Sequence, residues 1–153
     1  MLKLLTQKKI KKNWKKYKSH IETAFFSTGT VTEDIYKDIY GRLMNPFNHD
    51  VHLWSSENEN HILLTQIQEC EFTNNKTLLI VSGTRVKFGR EFTSKKTRDN
   101  WYFKNLIVLS RFAKERNCVA IYAFSDLDYL LTSVNQLKKQ TKAIVRYQFY
   151  YPV

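Results

Sequence analysis

Ile10, Trp14, Tyr17, Ile21 and Phe25 recur at steps of four, three, four and four, so they line one face of a helix. Lys8, Lys9, Lys11, Lys12, Lys15, Lys16 and Lys18 fall on the remaining faces. Ser27-Thr28-Gly29-Thr30 breaks that pattern. Thr30 or Thr32 then caps a second helix, with Glu33 and Asp34 in the first turn where the helix dipole favours acids. Its buried face is Ile35, Ile39 and Leu43 with Tyr36 and Tyr40 beside them, and Asn45-Pro46 ends it.

Strand-like runs follow. Val51 to Trp54 is a short strand, and Glu57-Asn58-Glu59-Asn60 is a polar turn. Ile62 to Phe72 and Thr77 to Phe88 form a hairpin through Thr73-Asn74-Asn75-Lys76. Alternation puts Arg85 and Lys87 on one face of its second strand, and Val86 and Phe88 on the other. Gly89 to Asn100 is poor in apolar residues and reads as an exposed basic loop. For Trp101 to Arg116, length and the Tyr102, Leu106, Leu109, Ala113 spacing favour a helix, while its β-prone residues leave a strand open. Val119 to Phe124 is a buried central strand. Leu127, Leu130, Leu131, Val134 and Leu137 mark a helix opened by Ser125 and Asp128, and Ala143 to Tyr151 is a closing strand.

The expected order is thus ααβββαβαβ. Short turns predict an antiparallel portion, and a helical link between the last two strands predicts a parallel crossover. The fold class is α/β or α+β, a single mixed sheet with helices on both faces. Residues 1–26 form a basic amphipathic helix docked on one α/β domain of residues 27–153. This order is similar to the core of the PD-(D/E)XK nuclease superfamily, the restriction-endonuclease-like fold, over roughly residues 30–125. The resemblance is one of topology.

Charge sharpens the picture. The formal net charge is +11, and residues 1–20 hold eight lysines and no acid. A helix so loaded repels itself unless a polyanion or an anionic surface screens it. The 42% hydrophobic content is that of a globular chain. Cys70 and Cys118 lie far apart in apolar runs and read as buried free thiols of a reducing compartment. Lysines interrupt the N-terminal apolar residues at once, and no run approaches the roughly 20 residues of a membrane span, which predicts a cytoplasmic protein.

The leading expectation is non-catalytic binding of DNA or RNA, in the service of a plasmid, phage or other mobile element. Phosphate contacts would come from Lys8, Lys9, Lys12, Lys15, Lys16, Arg85, Lys87, Arg90, Lys95, Lys96 and Arg98. Resemblance to the nucleases implies an alternative, with Glu69, Glu71 and Lys87 around Mg²⁺. Arg85-Val86-Lys87 stands where that family carries an acid-x-lysine, so the site is degenerate; no other cofactor is expected. An acidic protein partner or an anionic membrane surface would also suit the first helix. His49, Asp50, His52 and His61 lack a fixed metal-ligand spacing and read as turn or surface residues. In a last, acetyltransferase-like reading, the Gly89 to Lys96 loop, with its single glycine, grips a cofactor phosphate ahead of a helix. Nothing in the pattern sets an oligomeric state.

Overall fold

The computed structural model describes residues 1–25, 32–69, 75–83 and 95–123. Its elements are β1 (Lys3–Leu4), α1 (Gln7–Phe25), α2 (Glu33–Met44), β2 (Val51–Ser55), β3 (Ile62–Glu69), β4 (Lys76–Gly83), α3 (Lys95–Glu115) and β5 (Cys118–Ala123). The strands form one sheet in the order β1-β2-β3-β4-β5, antiparallel throughout except for the parallel pair β4 and β5. Mixed α/β architecture is therefore present as the element pattern predicts. The helix and strand expected over 125–151 lie outside the described residues, as does Cys70.

Strand alternation builds two cores, one on each face of the sheet. Leu53, Ile62 and Leu64 point to the face carrying α1 and α2, where they meet Ile10, Tyr17, Ile21, Tyr36 and Leu43. Trp54, Leu63 and Leu78 point the other way, toward Leu109, Phe112 and Ala113 of α3. Phe112 organises this second core. His52 and Trp54 meet its ring edge-on, at centroid distances of 4.8 and 4.7 Å, and the Arg116 guanidinium lies 3.5 Å from its centroid. Trp54 Nε1 donates to Thr65 Oγ1 at 2.9 Å, so the indole is buried with its polar atom satisfied.

Several expectations change. The chain starts with a short strand that the lysine-interrupted N-terminus concealed: Lys3 pairs with Ser55, and Leu4 with Trp54. Residues 101–116 are helical, and α3 begins earlier than the pattern implied, at Lys95, inside the segment read as an exposed loop. Helix α2 starts after Thr32 as expected, but the cap has no side-chain hydrogen bond, and Ile35 is 45% exposed rather than core. Val119 is 65% exposed because β5 bulges there: Lys76 pairs with Cys118 and Thr77 with Ala120, leaving Val119 without a partner in that ladder. Asn117, at φ 59°, makes the tight exit from α3 into β5, a left-handed position that Asn tolerates. The free thiol of Cys118 is buried. Among the described residues no helix is long and apolar enough to cross a membrane.

Two outcomes follow from the Phe112 core. Phe112→Ala should destabilise the fold by about 3–5 kcal/mol in denaturant titration, because three partners lose one shared ring. Burial pushes His52 down from its ordinary 6.5 to about 4, with the Arg116 charge adding to the effect. The unfolded chain then binds a proton that the native state refuses, so stability falls as pH drops from 6.5 toward 4, by up to about 3 kcal/mol. Urea midpoints measured across that range should show the slope, and His52→Leu should flatten it.

Candidate functional site

A parallel pair of strands cannot be closed by a tight turn, so the chain leaves β4 at its carboxyl end, crosses over the sheet as α3 and re-enters as β5. Ligands of open α/β sheets bind at the carboxyl ends of such strands. Two features mark that end here. Leu64 pairs with Ser82 and Thr65 with Ile80, so Val81 is an extra residue on β4, a β-bulge. Helix α3 is 21 residues long, opens Lys95-Lys96 and has no acid in its first turn, so its amino end is electropositive in both dipole and composition.

The opposite face contributes a titratable cluster at the same end. Ser55 pairs with Ile62 and Leu63 with Gly83, so the turn joining β2 to β3 projects beside the carboxyl end of β4. Glu59 sits in this turn at φ 56°. It takes ion pairs from Lys9 at 2.5 Å and Lys16 at 2.9 Å, residues seven apart on one side of α1. Hydrogen bonds from these two ammonium groups hold the Glu59 carboxyl down at about 2. Tyr17, fully buried beneath, has its hydroxyl raised by burial first and by the Glu59 charge second. His20, half-buried on the last turns of α1, is lowered by burial and then by Lys16 and His61. His61 is buried, and the turn is tied by Ser56 N donating to His61 O at 2.9 Å and His61 N donating to Ser56 Oγ at 3.1 Å.

The sequence-predicted residues scatter over this frame. Lys9 and Lys16 are consumed by Glu59, and Lys18 by Glu33 of α2 at 2.7 Å, with its ammonium 5.0 Å from the Tyr36 ring centre. Lys8, Lys11, Lys12 and Lys15 are exposed. Lys95, Lys96 and Arg98 stand in α3, on the other face of the sheet. Arg85, Lys87, Arg90 and Glu71 lie outside the described residues. Glu69 pairs across the hairpin with Lys76, at the end of the sheet away from the bulge. Among the described residues no group of three metal-binding side chains gathers, and His52 and His61 do not join His49 and Asp50 in one. What the sequence reading missed is the bulge, the start of α3 and His20. Gly83, inside a strand, was the available signal for the first, since such a glycine marks a bulge or a close backbone approach.

No family model matches the chain, and no curated protein sequence is similar to it. Solved structures are informative. An aminoglycoside acetyltransferase from an uncultured soil sample, bound to sisomicin, superposes with a TM-score of 0.60 at 15% identity, covering 100% of this chain and 95% of that one. A second soil aminoglycoside acetyltransferase gives 0.61 at 10% identity, with 100% and 97% covered. A GNAT family acetyltransferase of Staphylococcus aureus gives 0.55 at 16% identity, again with 100% and 97% covered. The fold is thus that of the GNAT acetyltransferases.

This finding corrects three expectations. The restriction-endonuclease-like topology gives way to the acetyltransferase fold, because the chain contributes an additional β1 and a sheet ordered as its strands follow in sequence. The non-catalytic nucleic-acid binder and the Mg²⁺ nuclease built on Glu69, Glu71 and Lys87 are both set aside, since the structural neighbours are acetyltransferases. The DNA-binding and mobile-element reading goes with them. Its electrostatic premise also weakens, because acids of the same chain already screen Lys9, Lys16 and Lys18.

Glu59 joins the turn to α1, so Glu59→Gln should cost about 1 kcal/mol in chemical denaturation, the scale of exposed ion pairs. At 1 M salt, where such pairs are screened, wild type and variant should converge.

Proposed function

We propose that the chain transfers an acetyl group from acetyl-coenzyme A to an amine. The carrying observation is the parallel β4–α3–β5 crossover, with a bulge at Val81 near the carboxyl end of β4, set within a fold shared over the whole chain with acetyltransferases. The donor is a thioester with a strongly anionic phosphate end and an arm rich in amides. The amino end of α3, with no acid in its first turn, suits the phosphates. The bulge leaves Val81 without a partner in the β3 ladder, and backbone of that kind suits the amide arm, which can pair with it as a strand would. These groups fit the donor, whose thioester supplies an activated acyl carbon. The expectation of a loop that holds a cofactor phosphate ahead of a helix belongs to this reading, with the helix starting at Lys95.

An amine attacks only when neutral, so a proton acceptor is required near the carboxyl end of β4. His20 suits this role. Burial, Lys16 and His61 lower its affinity for protons, which leaves the imidazole unprotonated and basic at neutral pH. Tyr17 and Glu59 contribute position rather than proton transfer. One is buried and the other is held as a carboxylate by two lysines.

Purified chain, acetyl-coenzyme A and a panel of amines, including an aminoglycoside, a polyamine and peptides with free amino groups, test the proposal through release of the free thiol. Acetyl-dependent thiol release with at least one amine is expected, together with binding of acetyl-coenzyme A in calorimetry. Absence of both overturns the reading. His20→Ala should lower kcat about a hundredfold, the scale of a lost general base. In the wild type kcat should rise with pH through an apparent pKa below the ordinary histidine value of 6.5 and then level off, because the deprotonated ring is the active form. The variant should lack that limb.

A further inference from the structure

Helix α1 meets different surroundings on each side. Ile10, Trp14, Tyr17 and Ile21 define the side turned to the core. Lys9, Lys16 and His20 lie to one side of it, toward the Glu59 turn, and Lys18 lies to the other side, against Glu33. What remains is the side opposite the core. Lys8, Lys12 and Lys15 occupy it, with Lys11 at its margin, and all four are exposed. Asn13, at φ −120° and ψ 21°, breaks the helix in the middle of this stripe, which bends it without burying any of the four. None of them has an ion pair among the described residues, whereas Glu33 and Glu59, acids that do reach α1 from other elements, are already engaged with other lysines.

We infer that the acetyl acceptor is an acidic polypeptide, docked by its carboxylates on the Lys8, Lys11, Lys12 and Lys15 stripe of α1. This rests on the acetyltransferase reading. Charge complementarity selects the partner: like charges so close are self-repelling, and a polyanion relieves that repulsion where a polycationic acceptor adds to it. Reactivity then selects among polyanions. Acetyl transfer needs a nucleophilic amine, which a polypeptide supplies at its N-terminus or at a lysine. The exocyclic amines of nucleic acids have lone pairs delocalised into the ring and attack acyl carbon poorly. Size agrees as well. From Lys8 to Lys15 the stripe runs about 10 Å, the span of about three residues of extended chain. The transfer forms a C–N bond from the acceptor nitrogen to the acetyl carbon and breaks the C–S bond of the thioester. The electron pair leaves on sulfur, and the proton released by the amine ends on that thiolate.

The test uses three peptides of one length, each with a free N-terminus and one lysine, whose other positions carry Glu, Gln or Arg. Steady-state acetylation is read at low and moderate salt, for the wild type and for the variant with Lys8, Lys11, Lys12 and Lys15 all changed to Gln. Fluorescence anisotropy of the Glu peptide reads binding without any chemistry, and thermal melting confirms that the variant folds. The expected result is a KM about tenfold lower for the Glu peptide than for the Gln peptide, the sum of four exposed ion pairs. That advantage should vanish in the variant or at high salt while kcat holds. Equal KM for the Glu and Gln peptides, with acetylation intact, overturns the acceptor assignment and leaves the acetyltransferase standing. Tight Glu-peptide binding without acetylation of any amine overturns both. Duplex DNA or anionic vesicles that displace the Glu peptide at lower concentration than an acidic protein does would also overturn it.

Discussion

The parallel pairing of β4 with β5 is the constraint from which most of the molecule follows. Two strands running the same way need a connection that climbs off the sheet and returns to its starting end. Here that connection contains α3, whose return over the sheet buries Leu109, Phe112 and Ala113 against Trp54 and Leu78. The face carrying α3 is thereby closed, and α1 and α2 are left to cover the other. The same geometry brings the amino end of a 21-residue helix to the carboxyl end of β4. An electropositive helix end beside the sheet is a by-product of the crossover, before any side chain is chosen.

Periodicity made most of this frame legible. The step pattern of Ile10, Trp14, Tyr17 and Ile21 identified a helix face, and three of these four are fully packed. The hairpin and the helical reading of 101–116 also follow from local pattern, because burial on one side leaves a period of two or of 3.6 residues. What local pattern cannot carry is pairing between segments distant in sequence. Strand β1 has only two residues and exists because Leu2 and Leu5 are buried and Lys3 finds Ser55. The bulge at Val81 depends on register against β3 and leaves a trace only in Gly83. Neither feature is written in the local pattern. A reading without them drifts to another mixed sheet.

The site was less legible than the fold for a related reason. Charge is counted along a sequence, but its effect depends on what faces it. Lys9, Lys16 and Lys18 look like Lys8, Lys12 and Lys15 in the sequence, yet among the described residues only the first three meet acids of their own chain. Glu59 is the discriminating residue. Nothing near Glu57 or Asn58 in the sequence marks it as the member of the turn that reaches back some forty residues to α1. His20 was likewise unremarkable until His61 and Lys16 came beside it.

The break at Asn13 sets how α1 keeps its phase. Its amino half is registered by Gln7, whose Nε2 donates to Leu43 O and Asn45 O, both at 3.1 Å. Its carboxyl half is registered by Lys16 on Glu59 and Lys18 on Glu33. Asn13 Nδ2 donates to Lys9 O at 3.1 Å and so satisfies a carbonyl near the break. A continuous helix of 19 residues would have to satisfy both sets of anchors with one rotation. Two short helices joined at Asn13 can each meet anchors of their own. Glu59 spans the joint, holding Lys9 of one half and Lys16 of the other, so the bend in α1 and the turn between β2 and β3 keep each other in place.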